Sequence, residues 1–224
     1  MKRSAVMLSG TRRFTPAAVA ALRTLVLGLI VLHGCGSPEA RLAPLAQDAV
    51  VLAFGDSLTH GTGAALEQDY PTLLEHMISR RVVNAGVPGE TAAGGRTRIV
   101  HELKRHRPSL VILCQGGNDM LRGRPEEVIA SDLRAMIQAC LDHAAGVVLV
   151  GVPRPTLRST VPPFYAELAE EFNIPYQGEV LRDVLRQRGL KSDLIHPNSK
   201  GYLAMAQALR DLLSARGALP GAQP

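Results

Sequence analysis

Short apolar runs alternate along the chain with longer amphipathic stretches, and that alternation sets the expected elements. Val50–Phe54, Arg81–Asn84, Leu110–Gln115, Val147–Val152 and, more weakly, Ile174–Gln177 are bounded by glycine or polar residues, as buried strands are. Helical periodicity covers Tyr70–Ser79, Ala92–His106, Pro125–Ala144, Pro163–Phe172, Glu179–Arg188 and Asn198–Arg216. Pro125 followed by Glu126 and Glu127 suits a helix start, with proline in the first turn and acids at the positive end of the dipole. Strands that alternate with helices pair in parallel and need a helical layer on each face. The expected fold is therefore α/β, a three-layer α/β/α sandwich with a parallel sheet of about five strands, in one domain over residues 50–216.

The pattern breaks at both ends. Residues 1–34 carry Lys2, Arg3, Arg12, Arg13 and Arg23, no acid, and the apolar stretch Thr24–Leu32. That is the layout of an export signal, and it is too short to span a bilayer, which takes about 20 apolar residues. Leu32-His33-Gly34-Cys35 resembles the lipobox of bacterial lipoproteins, which implies lipidation of Cys35. An ordinary cleaved signal or a retained anchor is the alternative, since His33 stands where a small residue is usual. With Gly36 rather than Asp after the cysteine, the same resemblance implies an outer-membrane lipoprotein facing the periplasm; without lipidation the protein would be periplasmic or secreted. Residues 35–49 have no clear period and read as a tether, of which the fourteen after Cys35 reach at most about 46 Å at ~3.3 Å each. Residues 217–224 read as a flexible tail.

Charge changes the picture once the ends are set aside. The net charge of +5 suggests nucleic acid, but five of the 25 basic residues and none of the 20 acids lie in residues 1–34. The remaining chain carries 20 of each, and a nucleic-acid partner loses its support. Cys114 lies in an apolar run and Cys140 in a helical pattern, both without metal spacing, so both read as core residues.

The carboxyl ends of parallel strands share one rim, so the residues after each strand become neighbours. Gly55-Asp56-Ser57 follows the first strand, the turn 84–89 the second, and Gly116-Gly117-Asn118-Asp119 the third; Asp193-Leu194-Ile195-His196 precedes the last helix. Acyl transfer needs these residue types. Ser57 is a candidate nucleophile, His196 a base for its proton, and Asp193, three residues earlier, can hold the imidazole in one tautomer. The Ser57 N–H, the Gly89 N–H and the Asn118 amide are candidate donors to an oxyanion, with Gly86 competing if the turn is registered differently. Taken singly, Ser57 could be a helix cap and Asn118 a turn residue. Asp193 and His196 lack a third ligand for a metal, and no metal or organic cofactor is expected.

"FGDSLTHG", "NAGVPGETAAGG", "QGGNDMLRG" and "DLIHPNSKGY", in this order over Val50–Leu213, resemble the blocks of the SGNH or GDSL-type hydrolases. Within that family the chain is most similar to the bacterial arylesterase, lysophospholipase and thioesterase I branch. The resemblance implies a flavodoxin-like fold and a serine esterase with Ser57 as nucleophile, His196 as base, Asp193 as its orienting acid, and Ser57, Gly89 and Asn118 around the oxyanion. It also implies aryl or short-to-medium acyl esters, lysophospholipids and thioesters as substrates. Two departures stand out: Glu90 replaces an Asp common after the second-block glycine, and Gly151–Phe172 differs where the acyl groove is lined. Glu90, the longer acid, is expected to reshape its loop. A carbohydrate O-acetylesterase and a lipid-binding module without turnover are the competing readings. His60 is expected near the mouth of the site or on solvated surface, and "RTRIVHELKRHRP" as a solvated helix face.

Overall fold

The computed structural model describes residues 40–156 and 159–219. The expected signal segment and Cys35 lie outside them. Strands β1 (Val50–Gly55), β2 (Arg81–Gly86), β3 (Leu110–Cys114), β4 (Gly146–Val150) and β5 (Tyr176–Gln177) form one sheet in the order β2-β1-β3-β4-β5. Every pairing is parallel. The all-apolar β3 is buried along its whole length, and β1 and β4 apart from their first residues, because they sit between two helical layers. The edge strand β2 is only partly buried, and its sequence correspondingly holds Arg81 and Asn84.

The helices are α1 (Ser57–His60), α2 (Tyr70–Ile78), α3 (Ala92–His106), α4 (Gly117–Leu121), α5 (Glu126–Asp142), α6 (Phe164–Glu171), α7 (Val180–Arg186) and α8 (Ser199–Ala215). One layer groups α2, α7 and α8, the other α3, α5 and α6. The three-layer α/β/α sandwich expected from the alternation is the fold observed. Helices α1 and α4 were not anticipated; four and five residues are too few to display a helical period. No helix among the described residues is long and apolar enough to cross a membrane.

Residues 40–49, expected in the tether, instead lie against the domain. Leu45 and Ala49 are buried, and the Leu42 and Leu45 N–H groups donate to the Arg216 and Ala218 carbonyls at 2.9 and 2.8 Å. The same contacts bury Ala218, so residues 217–219 of the expected tail are packed as well. This seam lies at the amino ends of the strands. Cys114 and Cys140 are both buried and free, as core residues.

Candidate active site

The chain runs outward in opposite directions from β1, to β2 on one side and β3 on the other. In this strand order the crevice between the carboxyl ends of β1 and β3 is the natural binding site. A Cβ on Gly55 would meet the Thr59 side chain and the Cys114 carbonyl, so the last residue of β1 is held to glycine. Asp56 then caps α1, its Oδ1 accepting the Leu58 N–H at 3.0 Å. The capping role falls to Asp56, and the Ser57 hydroxyl is left to face the crevice.

Ser57 Oγ lies 3.0 Å from His196 Nε2, across 139 residues of chain. His196 Nδ1 lies 2.8 Å from Asp193 Oδ2. The other carboxylate oxygen, Oδ1, accepts the Ile195 and His196 N–H groups, both at 2.8 Å, so one acid fixes both the ring and the backbone that carries it. Burial would raise the Asp193 pKa, but the His196 ring and these two N–H groups outweigh it and hold the carboxyl below its usual range. A carboxylate can only accept, so Nδ1 carries the proton and Nε2 of the neutral ring is free to accept from Ser57. The loop is closed at its base by the Lys191–Pro197 bridge and by Ser192 N–H donating to the His196 carbonyl at 3.0 Å.

Three loops of the rim are bonded to one another. The Asn118 amide donates to Asp56 Oδ2 at 3.2 Å and to the Glu90 carbonyl at 3.0 Å. Asp119 accepts the Ala92 N–H at 2.7 Å, fastening α4 to the start of α3. Asp56 is fully buried, and burial lifts its pKa to about 6 against the opposing pull of the Leu58 N–H and the Asn118 amide. Asn118 thus lines the same cavity as Ser57, with both amide hydrogens already engaged. An oxyanion would have to share or displace one of them. Of the two candidate glycines, Gly86, the last residue of β2, donates to Asn84 Oδ1 at 3.0 Å, whereas the Gly89 N–H, on the turn that follows at φ +78°, has no partner among the described residues. The Ser57 N–H, at the head of α1, is likewise uncommitted.

Glu90 does more than lengthen its loop. Its carboxylate takes a two-pronged contact from Arg98 at 2.8 and 2.7 Å and the Gln115 amide at 2.7 Å. The Arg98 guanidinium lies 4.1 Å over the Phe54 ring and also donates to the Ala85 carbonyl at 3.1 Å. Arg98, expected on a solvated face, is therefore largely buried under the rim and ties the ends of β1, β2 and β3 together. The signal lay in its spacing, since it sits between Gly95 and Ile99 on the buried side of α3. In the same basic run, His106 is folded onto Glu102 at 3.2 Å. His60 is exposed and does not line the catalytic cavity, which Ser57, Leu58, Asn118, Val152, Pro153 and His196 enclose with their neighbours.

Residues 53–204 match the GDSL-like Lipase/Acylhydrolase family. An arylesterase of Vibrio mimicus is 32% identical over 175 residues, covering 70% of this chain and 84% of the relative. Thioesterase 1/protease 1/lysophospholipase L1 of Escherichia coli is 30% identical over 176 residues, covering 73% and 85%. Among solved structures, the SGNH-hydrolase family esterase AlinE4 matches with a TM-score of 0.59 at 30% identity, over 76% of this chain and 94% of that one. With a family match across most of the fold and relatives aligned over more than four fifths of their length, the chain belongs to the GDSL-like lipase/acylhydrolase family and is a carboxylic ester hydrolase.

Proposed function

We propose that the protein hydrolyses carboxylic esters through an acyl-enzyme on Ser57. The observation that carries this is the continuous chain Ser57 Oγ, His196 Nε2, His196 Nδ1, Asp193 Oδ2, with links of 3.0 and 2.8 Å, opening on a cavity. Ser57 Oγ bonds to the carbonyl carbon while its proton passes to His196 Nε2. The tetrahedral oxyanion is held by the N–H groups of Ser57 and Gly89 and by the Asn118 amide. The carbon–oxygen bond to the alcohol then breaks, and His196 returns the proton to the leaving oxygen. Water deprotonated by the same imidazole attacks the acyl-enzyme, releases the acid and restores Ser57. Asp193 keeps the imidazole in the required tautomer and stabilises its charged form.

Aryl and short-to-medium acyl esters are the proposed substrates, with lysophospholipids and thioesters beside them. Support comes from the arylesterase and lysophospholipase names of the relatives and from Leu58, Val152 and Pro153 in the cavity wall. The test is hydrolysis of p-nitrophenyl acetate and p-nitrophenyl octanoate. We expect turnover by the wild type, a loss of about 10⁴-fold in His196→Gln, and of about 10²- to 10³-fold in Asn118→Ala. Undiminished turnover in folded His196→Gln would contradict the assignment.

We further propose that residues 1–34 direct export and that Cys35 carries a lipid that tethers the enzyme to a membrane. The acid-free basic start, the apolar Thr24–Leu32 and Leu32-His33-Gly34-Cys35 support this. Labelled palmitate should enter the wild type in a lipoprotein-competent bacterium and be absent from Cys35→Ser; equal labelling of the two would refute it.

A further inference from the structure

The cavity at Ser57 is small, about 40 Å³, and does not end at the triad. It adjoins a groove of about 830 Å³, and Leu121, Pro155, Ser159, Leu185, Leu194 and Ile195 line both. Their shared wall is mostly aliphatic. Leu194 is 81% exposed and Leu121 50%, although both are large apolar side chains. Apolar groups left in water beside a reactive serine are placed to cover an alkyl or aryl portion of a ligand.

The groove changes character away from Ser57. Past the shared wall it gains Arg186, Lys191 and Asp193. The Asp193 carboxylate is already turned onto its own loop, accepting from the Ile195 and His196 backbones and the His196 ring. The side chains of Arg186 and Lys191 have no hydrogen-bond or ion-pair partner among the described residues. Arg182, one turn earlier on α7, by contrast pairs with Glu179 and Asp183. Two uncommitted cations therefore line a largely apolar groove that shares a wall with the cavity of Ser57.

We propose that this groove selects esters in which an apolar stretch separates the scissile bond from an anionic group, a carboxylate or a phosphate, held by Arg186 and Lys191. The proposal rests on the Ser57 reading above and specifies its substrate class. The anion can belong to the acyl half, as in a half ester of a dicarboxylic acid, or to the alcohol half, as in an ester of a hydroxy acid or of a phosphate-bearing alcohol. Both cations are at the surface, so their attraction adds modestly to binding and is screened by salt.

The experiment compares kcat/KM for matched neutral and anionic esters. Mono-p-nitrophenyl adipate against p-nitrophenyl hexanoate places the charge on the acyl half; 6-acetoxyhexanoate against hexyl acetate places it on the alcohol half. The proteins are the wild type, Arg186→Gln/Lys191→Gln and Arg186→Glu/Lys191→Glu. In at least one series the anionic-to-neutral ratio should fall about tenfold on charge reversal, fall less in the glutamine variant, and weaken in the wild type as salt is added. The series that responds identifies the half that occupies the groove. The neutral ester of each pair is the reference within each protein, since the Lys191–Pro197 bridge that closes the catalytic loop is a backbone pairing and both variants keep it. Ratios that stay constant across variants and salt, with neutral esters still hydrolysed, would overturn the anion site alone. Failure of the wild type to hydrolyse the neutral esters would overturn the Ser57 reading and this one with it.

Discussion

Asp56 and Asp193 are two carboxyls of one rim that their surroundings drive apart. Asp193 is half exposed and accepts three hydrogens, which hold it below the usual range; Asp56 is fully buried and lifted to about 6. Between about pH 4 and pH 6 the native state binds the Asp56 proton more tightly than the unfolded chain does. The stabilising contribution of Asp56 is thus complete below the unfolded value of 3.8 and is lost as pH rises through about 6. Asp193 acts in the opposite sense, stabilising above the ordinary carboxylate range and losing that contribution on acidification. Urea unfolding at several pH values should show wild-type stability falling relative to Asp56→Asn by about 2.5 kcal/mol from pH 4 to pH 7. Parallel profiles would contradict the burial account. Arg98→Met leaves Glu90 largely buried without its cation, and should cost about 3 kcal/mol or more by the same measurement. A loss under about 0.5 kcal/mol would show the pair to be dispensable. Ser57, Asn118, Asp193 and His196 were legible because each follows a strand or precedes a helix that the apolar pattern announces. The partnership of Glu90 with Arg98 and Gln115 was not, since polar groups 8 and 25 residues apart meet only when three strand ends come together.

At the scale of elements, periodicity located every long helix and strand to within a few residues. It missed what side-chain caps and close approaches decide. Helix α1 exists because Asp56 caps it and Gly61 ends it at φ +96°, and neither leaves a periodic trace. Strand β5 has only two residues, so its weak apolar signal matches a weak element. The packing of α1 on β2 depends on Gly86, where a Cβ would meet the His60 and Thr59 backbone. Backbone cannot rotate aside as a side chain can. Gly86→Ala should therefore push α1 off the sheet, cost about 1–3 kcal/mol of stability and lower turnover by moving Ser57. A melting temperature and kcat equal to wild type would show that α1 shifts freely.

For the molecule as a whole, the reactive rim and the amino-terminal seam lie at opposite ends of the sheet. Residues 40–49 gave no period because they form no helix or strand, yet two backbone hydrogen bonds and the burial of Leu45 make them part of the domain. The chain without residues 1–39 is the reference for this seam. Removing residues 1–49 should cost about 2–4 kcal/mol, from the lost apolar burial and hydrogen bonds. Equal stability of the two truncations would place the domain boundary at Val50 after all. The central claim concerns Ser57, and reaction with a fluorophosphonate probe tests it most directly. The wild type should gain one probe adduct, mapped by mass spectrometry to Ser57, and lose ester turnover in step, while folded Ser57→Ala should remain unlabelled. A folded wild type that neither labels nor loses activity, or an adduct that persists in Ser57→Ala, would contradict the account.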